Sequence, residues 1–200
     1  MLNKLRHLLL KLMYPVLKIA EKLGNPEPHV TAEFYYLCRT MLQPGDILIS
    51  REDLKLTNVF IPGFWSHVAI YVGKAKFDET VVEAIGKGVV QTPFVQWVLQ
   101  KDHVAVLRFK DAAFEEALTA AHFAILQEGK PYDYQIQPGT KAWYCAELAW
   151  GAYDHSMNGK CPLKPKKVLG VDAITPESFW DHAGDGNILQ IVALFEGPNV

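Results

Sequence analysis

The sequence predicts an α+β protein in which helices flank a mostly antiparallel central sheet. Three observations carry this. Helical patterns lie toward the two ends of the chain, and short strand-like runs fill its middle. Val68 to Val72 is nearly continuous β-branched and aromatic sequence, the composition of a central strand. The connections Lys74 to Glu79 and Gly86-Lys87-Gly88 are short and polar or glycine-rich, as hairpins require.

The elements follow in order. Leu2, Leu5, Leu9, Leu12, Val16 and Leu23 fall on one helical face, and Lys4, His7, Lys11, Lys18 and Lys22 on the other, with a kink at Pro15. Gly24-Asn25-Pro26-Glu27-Pro28 ends that region. Thr31 is placed to cap a second helix reaching about Met41. Gln43-Pro44-Gly45 turns the chain into a strand from Asp46 to Ser50, and Arg51 to Gly63 is a loop. Strands are expected at 68–72, 80–85, 89–92 and 103–109, with a short helix opened by Thr92-Pro93. Asp111 is expected to cap a helix of about seventeen residues that Gly129-Lys130-Pro131 stops. A helix from the Cys145 region to about Met157, an extended stretch at 168–173, a short helix after Thr175-Pro176 and a strand at 188–195 complete the chain.

Two hundred residues suit one core, with residues 1–42 read as a helical extension packed on a domain spanning 43–200. The net charge of −2 gives no reason to expect a nucleic-acid partner. No apolar run approaches the roughly 20 residues that span a bilayer. Lys11, Pro15 and Lys18 interrupt the leucines near the start, so this segment reads as mature protein rather than as a secretory signal. Its leucine stripe is expected to pack on the domain; its lysines make contact with anionic lipid a second reading. A cytoplasmic protein with peripheral membrane contact is the corresponding expectation. Cys38, Cys145 and Cys161 are an odd number, without CxxC or HxxxH spacing, which points to free thiols and to neither metal nor cofactor.

Three separated residue types suggest covalent catalysis. Cys145 stands at the start of a predicted helix, His67 at the entrance of the central strand, and Glu83 inside Val81-Val82-Glu83-Ala84. A thiolate is the nucleophile, and both a helix N-terminus and an adjacent imidazolium favour it. A carboxylate that orients the imidazole completes such a set. The Gly86-Lys87-Gly88 pair lacks the spacing of a phosphate loop.

Gly45-Asp46-Ile47-Leu48, Ser66-His67-Val68-Ala69-Ile70-Tyr71-Val72-Gly73, Val82-Glu83-Ala84, Tyr132-Asp133-Tyr134 and Tyr144-Cys145-Ala146-Glu147-Leu148, in this order, resemble the permuted papain-like amidases. These are distant relatives of the NlpC-type cell-wall peptidases and of lecithin–retinol acyltransferase. In the permuted group the histidine precedes the cysteine, as here. The resemblance covers about Gln43 to Tyr153 and implies a circularly permuted papain-like fold, with Cys145 as nucleophile, His67 as base and Glu83 as orienter. Ala146 and Ala69 stand where many members have Ser and Gly; both are small. Glu147 is a rival carboxylate, on another helix face from Cys145. Tyr144, Tyr134, Trp65 and Ser66 are the expected substrate-binding residues, and the apolar approach Phe60, Ile61, Phe64, Trp65 reads equally as a cleft wall or as core. Asp46 reads as structural.

The resemblance implies a cysteine hydrolase acting on an amide or ester through an acyl-enzyme. Its substrate is a small molecule, a peptide or a lipid amide. Acyl transfer on lipids is the alternative, motivated by the apolar loop and the basic helix. A binding module without turnover is the third reading.

Overall fold

A computed structural model describes residues 29–53, 63–136, 141–168, 170–184 and 187–197. The helix expected at 2–23, its membrane contact, and Phe60 and Ile61 of the apolar loop lie outside the described residues. The strands are β1 (Ile47–Arg51), β2 (His67–Gly73), β3 (Thr80–Ile85), β4 (Gly88–Pro93), β5 (His103–Phe109), β6 (Lys166–Val168), β7 (Val171–Ala173) and β8 (Leu189–Phe195). The helices are α1 (Ala32–Met41), α2 (Phe94–Val98), α3 (Phe114–Ile125), α4 (Cys145–Ser156) and α5 (Pro176–Trp180). Six strands form one sheet in the order β4-β3-β2-β1-β5-β8, every neighbouring pair antiparallel. The extended stretch near residue 170 is a separate hairpin, β6–β7.

Alternation along the strands divides the core into two layers. Ile47, Ile49, Val68, Ile70 and Val82 face α3 and α4, which meet the sheet through Ala120, Ala121, Ala124, Ala149 and Ala152. Leu48, Ala69, Tyr71 and Val81 face the other way, onto Phe34 and Cys38 of α1 and Phe94, Trp97 and Val98 of α2. Both faces of the inner strands are therefore covered. This is why Val68 to Val72 runs apolar without a break. Among the described residues no helix is long and apolar enough to cross a membrane.

Local chemistry sets most of the boundaries. Thr31 caps α1, its hydroxyl accepting from the Phe34 N–H at 3.3 Å. Asp111 does not cap α3, contrary to expectation: that helix starts behind Ala113, whose N–H donates to the Glu116 carboxylate at 2.9 Å. A first-turn glutamate reaching back thus replaces the aspartate cap. The helix has 12 residues rather than seventeen. The chain leaves it by a turn in which the Gln127 side chain donates to the Phe123 carbonyl and accepts from the Trp143 indole.

Gly45 locks the start of β1. Its φ is +97°, its N–H donates to the Tyr71 carbonyl at 2.8 Å, and its carbonyl accepts from the Tyr153 hydroxyl at 2.7 Å. A Cβ there would lie 2.7 Å from the Ala117 carbonyl oxygen on α3. Gly45→Ala combines a disfavoured backbone with overpacking and is expected to lower the melting temperature by roughly 5 °C. Thermal unfolding followed by circular dichroism checks this; an unchanged melting temperature would mean that α3 simply moves aside.

Candidate active site

The route into α4 places Cys145. Trp143 pairs with the 131–133 segment, its N–H donating to the Pro131 carbonyl at 3.1 Å and its carbonyl accepting from the Asp133 N–H at 3.0 Å. The Trp143 ring lies against Gly151, where a Cβ would sit 2.8 Å from it. A helix with a side chain at this position would push the tryptophan away. Tyr144 is extended, at φ −97° and ψ 166°, and Cys145 is the first residue of the helix. Its thiol therefore sits among the unpaired N–H groups of a helix start.

His67 and Glu83 are brought together by register. Ala69 pairs with Glu83 across β2 and β3. His67 lies two residues before Ala69, on the same face, so it is the diagonal neighbour of Glu83 and within reach of a long side chain. The contact is made: His67 Nε2 lies 2.7 Å from Glu83 Oε2. With Nε2 on the carboxylate, Nδ1 is the nitrogen left for Cys145, whose thiol interacts with the imidazole. The Val68 and Ala146 N–H groups also favour the thiolate. Helix α4 packs on the opposite face of β2 and meets His67 at the strand's entrance.

The electrostatics follow from this geometry. Burial pushes the Cys145 thiol up, but the hydrogen bond and charge of His67, with the two N–H donors, bring it below its ordinary value. Burial pulls His67 down, and its partners Cys145 and Glu83 raise it above the usual histidine range. Burial pushes Glu83 up, but His67, Lys101 and the Thr92 hydroxyl bring it down to about 2. The arrangement stabilises a thiolate–imidazolium pair backed by a carboxylate. The other two thiols behave oppositely: burial raises Cys38 to about 12 and Cys161 to about 11. All three cysteines are free and buried.

The expected substrate-binding residues divide. Trp65 is core, not cleft wall: it is 2 % exposed and packs on Phe64 and Trp180. The Glu177 carboxylate accepts from the Trp65 backbone N–H at 3.1 Å. Ser66 is likewise buried, its N–H donating to the Ser50 carbonyl at 3.1 Å in continuation of the β1–β2 pairing. Tyr144 and Tyr134 remain partly accessible. The Tyr144 hydroxyl accepts from the Ile174 N–H at 3.1 Å, and the Tyr134 hydroxyl donates to the Gly86 carbonyl at 2.8 Å. Glu147 is buried in the first turn of α4, and the carboxylate on His67 is Glu83. Sequence reasoning missed Thr92 and Trp97, which both donate to Glu83. No local signal marks them, since Thr92 reads as a helix opener and Trp97 as core.

A second group of ionisable side chains has donor atoms within 4.8 Å of one another: His29, Asp53 and Asp102. Protein groups already engage these carboxylates. Asp102 accepts from the N–H groups of His29 at 3.2 Å and Asp53 at 2.7 Å. Asp53 accepts from Arg51 Nε at 3.0 Å and lies 3.0 Å from His103 Nε2. The cluster ties residue 29 and the end of β1 to the start of β5.

Comparison with known proteins gives the family and the fold. The family described as permuted papain-like amidase enzyme, YaeF/YiiX, matches residues 41–184. The crystal structure of metalloprotein yiiX from Escherichia coli O157:H7 is similar, with a TM-score of 0.60 and 23 % identity over 78 % of this chain and 99 % of that one. No curated protein matches.

Proposed function

The chain belongs to the permuted papain-like amidase family, enzymes of cysteine-hydrolase type, and on that footing we propose that Cys145 is its nucleophile, His67 its general base and acid, and Glu83 the carboxylate that orients His67. The observation that carries the reading is the continuous chain of contacts from sulfur to imidazole to buried carboxylate. The Cys145 thiolate attacks the carbonyl carbon of an amide or ester. Charge that develops on oxygen is favoured by backbone N–H groups at the start of α4. The tetrahedral species collapses as the carbon–nitrogen or carbon–oxygen bond breaks, and the His67 imidazolium gives its proton to the leaving group. Neutral His67 then takes a proton from water, whose oxygen attacks the acyl-cysteine. The carbon–sulfur bond breaks, and the acid product and the thiolate–imidazolium pair are regenerated. Glu83 keeps the ring in the tautomer and orientation that leaves Nδ1 toward sulfur. The similar yiiX structure is described as that of a metalloprotein; the proposed nucleophile, base and orienter are all side chains, so no step is assigned to a metal.

The test is the pH dependence of alkylation of the three thiols by iodoacetamide, read by mass spectrometry. Cys145 is expected to react at a lower pH than Cys38 and Cys161 by several units, because their thiols are raised and its own is lowered. An activated aryl ester should leave its acyl mass on Cys145. Equal profiles for the three thiols, or acylation elsewhere, would overturn the assignment.

A further inference from the structure

The carboxylate behind His67 is held by more than the histidine. Glu83 Oε2 accepts from Trp97 Nε1 at 3.1 Å as well as from His67 Nε2 at 2.7 Å, and Oε1 accepts from Thr92 Oγ1 at 2.7 Å. The donors come from three elements: β2, the β4 end and α2. A carboxylate held by one bond can swing about its terminal torsion, which is broad. Three bonds to both oxygens fix its plane. Thr92 spends its hydroxyl here at the expense of its local option. It lies just before α2, but that helix begins behind Pro93 with no side-chain cap. Trp97 is 2 % exposed, and its indole N–H is a donor only, so it satisfies an anion without adding charge.

We infer that Thr92 and Trp97 are positioning residues, which clamp the Glu83 carboxylate in its charged form and in the plane that holds His67 toward Cys145. The inference rests on the roles proposed above for Cys145 and His67. Besides His67, the charged groups facing Glu83 are Lys101 and, through the imidazole, Cys145. Lys101 Nζ lies 5.2 Å over the Trp97 ring but is bound at 2.6 Å to Glu52, so its charge is shared. The two neutral donors therefore supply the direct contacts that His67 does not. Losing one weakens the anion, which in turn weakens the imidazolium, and the thiolate fraction falls.

The experiment uses the full chain and follows Cys145 alkylation by iodoacetamide against pH in wild type, Thr92→Val, Thr92→Ser, Trp97→Phe and Glu83→Gln. Thr92→Val is expected to slow alkylation at pH 6 about tenfold and to move the profile to higher pH, because a hydrogen bond to a charged group is lost. Thr92→Ser restores the hydroxyl and should lie close to wild type. Trp97→Phe should shift in the same direction as Thr92→Val. Glu83→Gln gives the full extent of the shift. A merely structural role for Thr92 would lower the melting temperature and leave the pH profile in place. That outcome, or a Thr92→Ser profile displaced as far as Thr92→Val, would overturn the inference while wild-type Cys145 still reacts at low pH. A wild-type Cys145 that reacts like Cys38 and Cys161 would instead bring down the proposed nucleophile, and the inference with it.

Discussion

Replacing Cys145 with Ala, or His67 with Ala, is expected to lower amide or ester hydrolysis by about 10⁴-fold or more. Nucleophile and base act as one unit, so removing either costs nearly as much as removing both. The double variant should therefore be no slower than either single one. The two variants differ in a second readout. In His67→Ala the thiol persists but loses the partner that offsets its burial, so Cys145 alkylation should move to a pH above that of an ordinary thiol. The pH dependence of the wild type follows with a definite sign. Activity needs the thiolate and the imidazolium together. It should rise as pH passes through the lowered Cys145 value and fall as pH passes through the raised His67 value, which broadens the active window on both sides. Steady-state hydrolysis of an aryl ester from pH 4 to 10 checks this. A residual activity in Cys145→Ala comparable to wild type would contradict it.

The largest effect on stability is expected away from the site. Asp46 is 1 % exposed at the start of β1, and Arg108 of β5 grips it through both oxygens, at 2.6 and 2.7 Å. The Gln43 N–H adds a third bond at 2.8 Å, and Arg108 also donates to the Met41 carbonyl at 2.8 Å. Burial pushes the Asp46 carboxyl up, and Arg108 and Gln43 restrain the rise. Arg108→Met leaves a buried carboxylate without its cation, the costly way to break such a pair. The expected loss is about 3 kcal/mol, or roughly 10 °C in melting temperature. Asp46→Asn added to Arg108→Met should recover part of it by removing the stranded charge, a coupling that a double-mutant cycle measures. Urea titration of the four proteins provides the numbers. The Cys145 alkylation profile should be the same in all of them, because neither residue touches sulfur, imidazole or Glu83.

Much of this was open to reading along the chain. Caps at Thr31 and Thr175, the β-branched run in β2, the hairpin connections and the cysteine at a helix start are all set by interactions within a few residues. Asp111 failed as a cap for an equally local reason, since Glu116 bonds the Ala113 N–H from inside the helix. For Trp65 cleft wall and core stayed open, because an aromatic residue next to a site looks the same in sequence in either place. Its 2 % exposure and its packing on the Trp180 ring put it in the core.

The order of histidine, carboxylate and cysteine, the alternation of apolar residues and the small side chains of α3 and α4 belong to the sequence alone. From these follow the α+β class, the covered central strands and the type of chemistry. Which carboxylate meets His67 was decided only by tertiary structure. Glu83 was the expected orienter with Glu147 as its rival, and the pairing of Ala69 with Glu83 is what puts the Glu83 carboxylate within reach of His67. Tertiary structure alone also brings in Thr92, Trp97 and the Asp46–Arg108 pair, the last spanning 62 residues. The physical reason is the range of the forces. Propensity, capping and period act over one or two turns, whereas strand register and helix docking are settled by the whole core at once.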